Sequence, residues 1–221
     1  MNKSNRKTLY LSLTMLTSFI LWTVALHTVD IRPIGPENSA VGFGALNGFF
    51  HSLTGVNMTL YTVTDWLGLV PIAIALCFAV LGLTQWIKQR SLSKVDYSIF
   101  VLGGFYVAVM AVYAIFEVYA VNYRPVLING CLEVSYPSST TMLVMCIMPT
   151  ALMQLNSRLQ SSAVKRLLSV MITAFVVFMV AGRLISGVHW LSDIIGGALV
   201  SAGLVLMYRF AINKQINNQS Y

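Results

Sequence analysis

The sequence predicts an all-α polytopic membrane protein that crosses the bilayer six times, and three observations lead there. Of its 221 residues, 57% are hydrophobic and 10% charged, and the mean hydropathy is +0.75; soluble domains seldom have such a composition. Six apolar runs, near 9–29, 63–87, 98–121, 140–156, 165–187 and 189–212, are long enough to span a hydrocarbon layer of about 30 Å. Basic residues gather in alternate loops between them.

The first run follows Lys3, Arg6 and Lys7. From Thr8 to Val29 it is too long for a signal-peptide core and no small-residue cleavage site follows, so it reads as a retained helix. The next loop, Asp30 to about Thr62, is the longest. Its Arg32-Pro33-Ile34-Gly35-Pro36 breaks any helix. Ala40 to Leu53 then reads as a short amphipathic helix, lying at the bilayer interface or acting as a lid, with His51 as an interfacial polar group. The second run ends at Lys88, and the third leads through Glu117 to Arg124-Pro125. The fourth is short and opens on Pro137-Ser138-Ser139-Thr140-Thr141, a helix-capping signal whose free N–H groups also suit an anion. The fifth and sixth nearly touch. With no linker, repeat or soluble segment, residues 1–221 read as a single membrane domain.

Charge sets the orientation. Lys3, Arg6, Lys7, Lys88, Arg90, Lys94, Arg158, Lys165, Arg166, Arg209 and Lys214 fall on one side, which the positive-inside rule assigns to the cytoplasm with both termini. Arg32, Arg124 and Arg183 fall opposite, with every acidic residue except Asp96. The setting this predicts is a bacterial plasma membrane with the functional cluster facing outward. The net charge of +7 is thus explained by topology and anionic lipid headgroups, and no nucleic-acid partner is needed. Cys77 and Cys146 lie in apolar runs and only Cys131 in a loop, so no disulfide framework is expected.

Between the last two runs stands Gly182-Arg183-Leu184-Ile185-Ser186-Gly187-Val188-His189-Trp190-Leu191-Ser192-Asp193. Ionisable groups at membrane depth are costly and mark functional sites. His189 and Asp193, four apart, share a helix face, so the carboxylate can hold the imidazole. Arg183 can turn back over them across the Ser186-Gly187 break, and Trp190 reads as an interfacial anchor. A cation, an imidazole and a carboxylate point to chemistry on an anion such as phosphate.

Three ordered motifs on one side complete the picture: Arg124-Pro125; Tyr136-Pro137-Ser138-Ser139; and Arg183, five residues, His189, three residues, Asp193. Together they resemble the type 2 phosphatidic acid phosphatase family, membrane phosphatases related to vanadium haloperoxidases. The resemblance implies that His189 is a nucleophile forming a phosphohistidine, and that Asp193 holds its tautomer. It implies Arg124 and Arg183 as phosphate clamps, completed by Ser138 and the N–H groups around Ser139. It implies a lipid phosphate substrate among membrane lipids, no metal or other cofactor, and no obligate protein partner.

Two residues depart from the family pattern. Thr140 occupies the place of a histidine that protonates the leaving oxygen, with Ser139 in a glycine slot; Glu117 replaces a lysine. A threonine hydroxyl is far too weak an acid for that task. Several expectations stay open at this point. The chain is a phosphatase preferring a good leaving group, as in an isoprenoid diphosphate; or Glu117 supplies the acid; or Glu117 merely neutralises an arginine. A lipid-phosphate binder or regulator without turnover, and a phosphotransferase using an alcohol acceptor, fit the same residues.

Overall fold

The computed structural model describes residues 3–219, and its regular elements are helices: α1 (Lys3–Leu26), α2 (Gly44–Thr54), α3 (Met58–Leu67), α4 (Leu69–Gln89), α5 (Tyr97–Val118), α6 (Ser139–Arg158), α7 (Ser162–Ile185) and α8 (Leu191–Gln219). Among the described residues, five helical stretches are long and apolar enough to cross a membrane: Lys3–Leu26, Met58–Gln89, Tyr97–Val118, Ser162–Ile185 and Leu191–Gln215. They correspond to five of the six apolar runs.

The remaining run became α6, which is different in kind. It packs against α4, α5, α7 and α8, and buries Thr141, Thr150 and Gln154. A helix enclosed by other helices can carry polar groups that lipid would not tolerate, provided they find partners. Thr150 donates back to the Cys146 carbonyl at 2.8 Å. Gln154 hydrogen-bonds Tyr208 of α8 and reaches the Ser98 carbonyl of α5 at 3.2 Å. Arg158 closes this end of the bundle with a 2.6 Å ion pair to Asp96.

The two terminal helices run together. Leu16 of α1 lies where a Cβ on Gly203 of α8 would fall, 2.6 Å away, so glycine is what lets the two backbones approach. Ser12 donates to the Gly203 carbonyl at 2.8 Å across that contact. Further along, Phe19 and Phe116 enclose the buried ring of Tyr136, whose hydroxyl meets Thr23 at 2.7 Å.

The amphipathic helix predicted over Ala40–Leu53 is present as α2, starting later, at Gly44, and ending at Thr54. Leu46, Phe49 and Leu53 are exposed, while Gly44 and Asn47 turn inward. Between α7 and α8, Gly187 adopts φ +67° and passes so close to the segment after α2 that a Cβ would lie 1.7 Å from the Gly55 carbonyl oxygen. Both the left-handed backbone and the approach require glycine there. The Asn57 N–H donates to the Ser186 carbonyl at 2.9 Å beside it, tying the loop over the α7–α8 turn.

Candidate active site

The C-terminal ends of α5 and α7 and the N-terminal ends of α6 and α8 meet at the end of the bundle opposite the Arg158–Asp96 pair. At their centre is Asp193, fully buried in the first turn of α8. One carboxylate oxygen accepts from Ser135 Oγ at 2.7 Å and from the Trp190 N–H at 2.9 Å. The other accepts from Asn122 Nδ2 at 3.1 Å and Ser192 Oγ at 3.5 Å. A helix N-terminus favours negative charge, and these donors occupy the lone pairs a buried carboxylate must satisfy.

His189 lies in the turn just before α8 rather than within it, and is 3% exposed. Its Nδ1 stands 3.8 Å from the Asp193 carboxylate, an ion-pair distance rather than a hydrogen bond. Its Nε2 faces Arg124 Nη1 at 3.2 Å and Arg183 Nη2 at 3.4 Å. Guanidinium groups only donate, so Nε2 must accept and the ring proton belongs on Nδ1, towards Asp193. Burial pushes the imidazole pKa down to about 4; Asp193 pulls it upward, and the two arginines reinforce the fall. The ring is therefore neutral at physiological pH, with its lone pair between two cations.

Each arginine has its own support. Arg183, 1% exposed, meets Asp65 Oδ1 at 3.5 Å. Arg124 meets Glu133 Oε2 at 3.0 Å, and its backbone N–H donates to the Glu133 carbonyl at 2.9 Å. Tyr61 of α3 lies against both guanidinium carbons, at 4.8 Å from Arg183 and 5.8 Å from Arg124. An aromatic face attracts cations, so one ring helps to hold two like charges together.

The second-motif residues divide. Ser138 is buried as the cap of α6, accepting from the Thr141 N–H at 3.5 Å, while its own N–H donates to the Asp193 carbonyl at 3.1 Å. Ser139 lines a small cavity with His189, Glu117, Tyr113 and Ser135. Thr140 does not line it; its methyl lies 3.7 Å from where a Cβ on Gly68 would stand, at the α3–α4 junction.

Two sequence expectations are corrected here. Arg124 and Arg183 have Glu133 and Asp65 as ion-pair partners, so Glu117, exposed at the end of α5, is not what neutralises either. Trp190 is not an interfacial anchor: it is 2% exposed, donates from Nε1 to the Tyr123 carbonyl at 2.7 Å, and stacks edge-on with His51. The turn that carries it folds under α2 instead of facing the bilayer surface.

Arg124, Arg183, His189 and Asp193, expected together from their motifs, do converge; Asn122, Ser135, Tyr61, Asp65 and Glu133 join them without belonging to any motif. Asp65 had a usable signal, being a carboxylate inside the end of an apolar run.

Residues 118–216, which contain Arg124, Ser138, Ser139, Thr140, Arg183, His189 and Asp193, match the model of the PAP2 superfamily. The chain's fold is similar to the crystal structure of the first transmembrane PAP2 type phosphatidylglycerolphosphate phosphatase from Bacillus subtilis, with a TM-score of 0.59 and 16% identity over 94% of this chain and 98% of that one. At that identity the likeness speaks for a shared fold and not for a shared substrate. No curated protein sequence matches this one.

The depressed imidazole can be observed directly. In a His27→Gln, His51→Gln background labelled with 15N-histidine, the His189 ring should titrate with a midpoint near pH 4 and remain the neutral Nδ1–H tautomer above pH 5. A midpoint near the ordinary value of about 6.5 would contradict the geometry.

Proposed function

We propose that this protein is an integral membrane phosphatase of the PAP2 kind acting on a lipid phosphate, and that His189 is its nucleophile. The observation that carries this is the convergence of two guanidinium groups on Nε2 of a buried, neutral imidazole backed by Asp193. A tetrahedral phosphate entering between the forks would exchange these contacts for charge-assisted hydrogen bonds to its oxygens. Its phosphorus would then face the Nε2 lone pair, a near-attack arrangement. Attack forms a phosphohistidine, and the ring's new positive charge falls on the side facing Asp193. The N-terminus of α6 with Ser139 adds N–H donors and a positive helix end for the developing charge.

Arg124 and Arg183 do the charge neutralisation that a metal ion performs in other phosphatases. Among the described residues no group of three His, Cys, Asp or Glu side chains lies close enough to hold one.

Leaving-group chemistry supports a substrate class. Thr140 has no proton to give near neutral pH. A phosphate leaving group is a far weaker base than an alkoxide and departs without one. Isoprenoid diphosphates thus fit better than phosphatidic acid or phosphatidylglycerol phosphate. For placement, we assign residues 1–221 to one domain with six crossings in a bacterial plasma membrane, α6 forming the enclosed crossing. Both termini are cytoplasmic and the site faces outward, on the distribution of lysine and arginine.

Phosphate release measured across the three lipid classes tests the reaction. Isoprenoid diphosphate should be the fastest substrate, and His189→Ala should lose at least about 10³-fold with any of them. Equal rates on diphosphate and phosphatidic acid would refute the leaving-group assignment. Binding abolished by Arg124→Ala while His189→Ala changes nothing would identify a binding protein instead. For orientation, Cys131 is exposed in the α5–α6 loop. A membrane-impermeant maleimide should label it in intact cells and not in Cys131→Ser; labelling only after lysis would invert the topology.

A further inference from the structure

The cavity beside His189 has a place in the second half of the reaction. It offers about 20 Å3 of water-accessible space and is lined by Tyr113, Phe116, Glu117, Val134, Ser135, Tyr136, Pro137, Ser139, Met142 and His189. A single water needs roughly 10–15 Å3 and at least two polar partners, so this space suits one water molecule. Three of its polar walls already have partners: Ser135 donates to Asp193 at 2.7 Å, the Tyr136 hydroxyl pairs with Thr23 at 2.7 Å, and the Tyr113 hydroxyl hydrogen-bonds Glu117, whose carboxylate keeps further lone pairs for a water. Asp193 is absent from the lining and stands on the Nδ1 side of the imidazole with its own donors. Glu117 is the one carboxylate on the cavity, and it is free of the arginines that sequence alone would pair it with.

We infer that Glu117 is the general base that activates the hydrolytic water, a catalytic role resting on the proposed phosphohistidine mechanism. In the first step Nε2 of His189 forms a bond to phosphorus, and the bond to the leaving oxygen breaks. With a diphosphate the departing phosphate keeps the electron pair and needs no proton. In the second step the water in the cavity gives a proton to the Glu117 carboxylate and its oxygen bonds to phosphorus. The phosphorus–Nε2 bond breaks, its electron pair returns to the imidazole, and inorganic phosphate leaves. Carboxylates are ordinarily ionised near neutral pH and suited to accept that proton. The two departures from the family pattern then belong together. Thr140 is tolerated because the first step uses a good leaving group, and Glu117 serves the step that a leaving group cannot help.

The test compares the parent with Glu117→Gln, which keeps shape and removes the base. Glu117 is exposed at a helix end, so folding should be unaffected, as an unchanged melting temperature would show. With an isoprenoid diphosphate labelled on its terminal phosphate, the first turnover should release lipid monophosphate at the parent rate. Steady-state phosphate release should then fall by about 10²-fold. Alkaline quenching should recover close to one labelled phosphoryl group per chain on His189 of the variant. Formate should partly restore turnover to Glu117→Ala by occupying the vacated carboxylate position. Parent-like turnover by Glu117→Gln overturns the inference, as does a first turnover slowed as much as the steady state. A parent that releases no phosphate, or an active His189→Ala, overturns instead the phosphatase reading beneath it.

Discussion

Asp193 is the constraint on which the site depends. A carboxylate sealed from water is tolerable only when its oxygens are occupied, and removing one partner of a buried charge typically costs about 3–5 kcal/mol. Its donors come from separate stretches of chain: Asn122 and Ser135 from the α5–α6 loop, Ser192 from α8, and the Trp190 backbone from the α7–α8 turn. Asn47 of α2 extends the network, donating to Ser192 Oγ at 2.9 Å and accepting from the Ser192 N–H at 3.1 Å. One buried charge thus fixes the loop that delivers Arg124, the turn that delivers His189, and the helix that roofs both. The same oxygens stand behind Nδ1 and decide which face of the imidazole is free.

The second constraint is repulsion. Two guanidinium groups at 3.2 and 3.4 Å from the same imidazole nitrogen would not remain so arranged if the ring were charged. Neutrality of His189, the Tyr61 face, and the Asp65 and Glu133 carboxylates make the cluster possible. Donors fixed in advance around an anion's position do not have to reorganise when charge develops there, which is where electrostatic catalysis gains most. A histidine protonated at neutral pH would be both misplaced and useless as a nucleophile.

How much of this was legible in the sequence follows from the range of each interaction. The apolar runs and the Arg183, His189, Asp193 spacing are local patterns, and they led to the helices and to half of the site. The enclosed character of α6 was visible only as a shorter run, because enclosure depends on neighbours the chain meets elsewhere. Asn122 and Ser135 reach Asp193 across more than fifty residues of chain, and nothing in their local sequence marks them as its donors. Trp190 was misplaced for the same reason: an aromatic next to a membrane-depth charge fits an interfacial anchor until α2 is seen covering it. Glu117 was recognised as anomalous from sequence, but which side of the arginines it faced needed the partners of Arg124 and Arg183.

The central claim is that Nε2 of His189 is the phosphoryl acceptor, held between two arginines by Asp193. Vanadate adopts the five-coordinate geometry of a phosphoryl group in transfer, so an experimental structure of the protein with vanadate tests the claim most directly. Vanadium should be bonded to Nε2 of His189, with its oxygens within hydrogen-bond reach of Arg124 and Arg183 and Asp193 still on the Nδ1 side. Vanadium bonded to any other side chain, or seated without contact to Nε2, would contradict it.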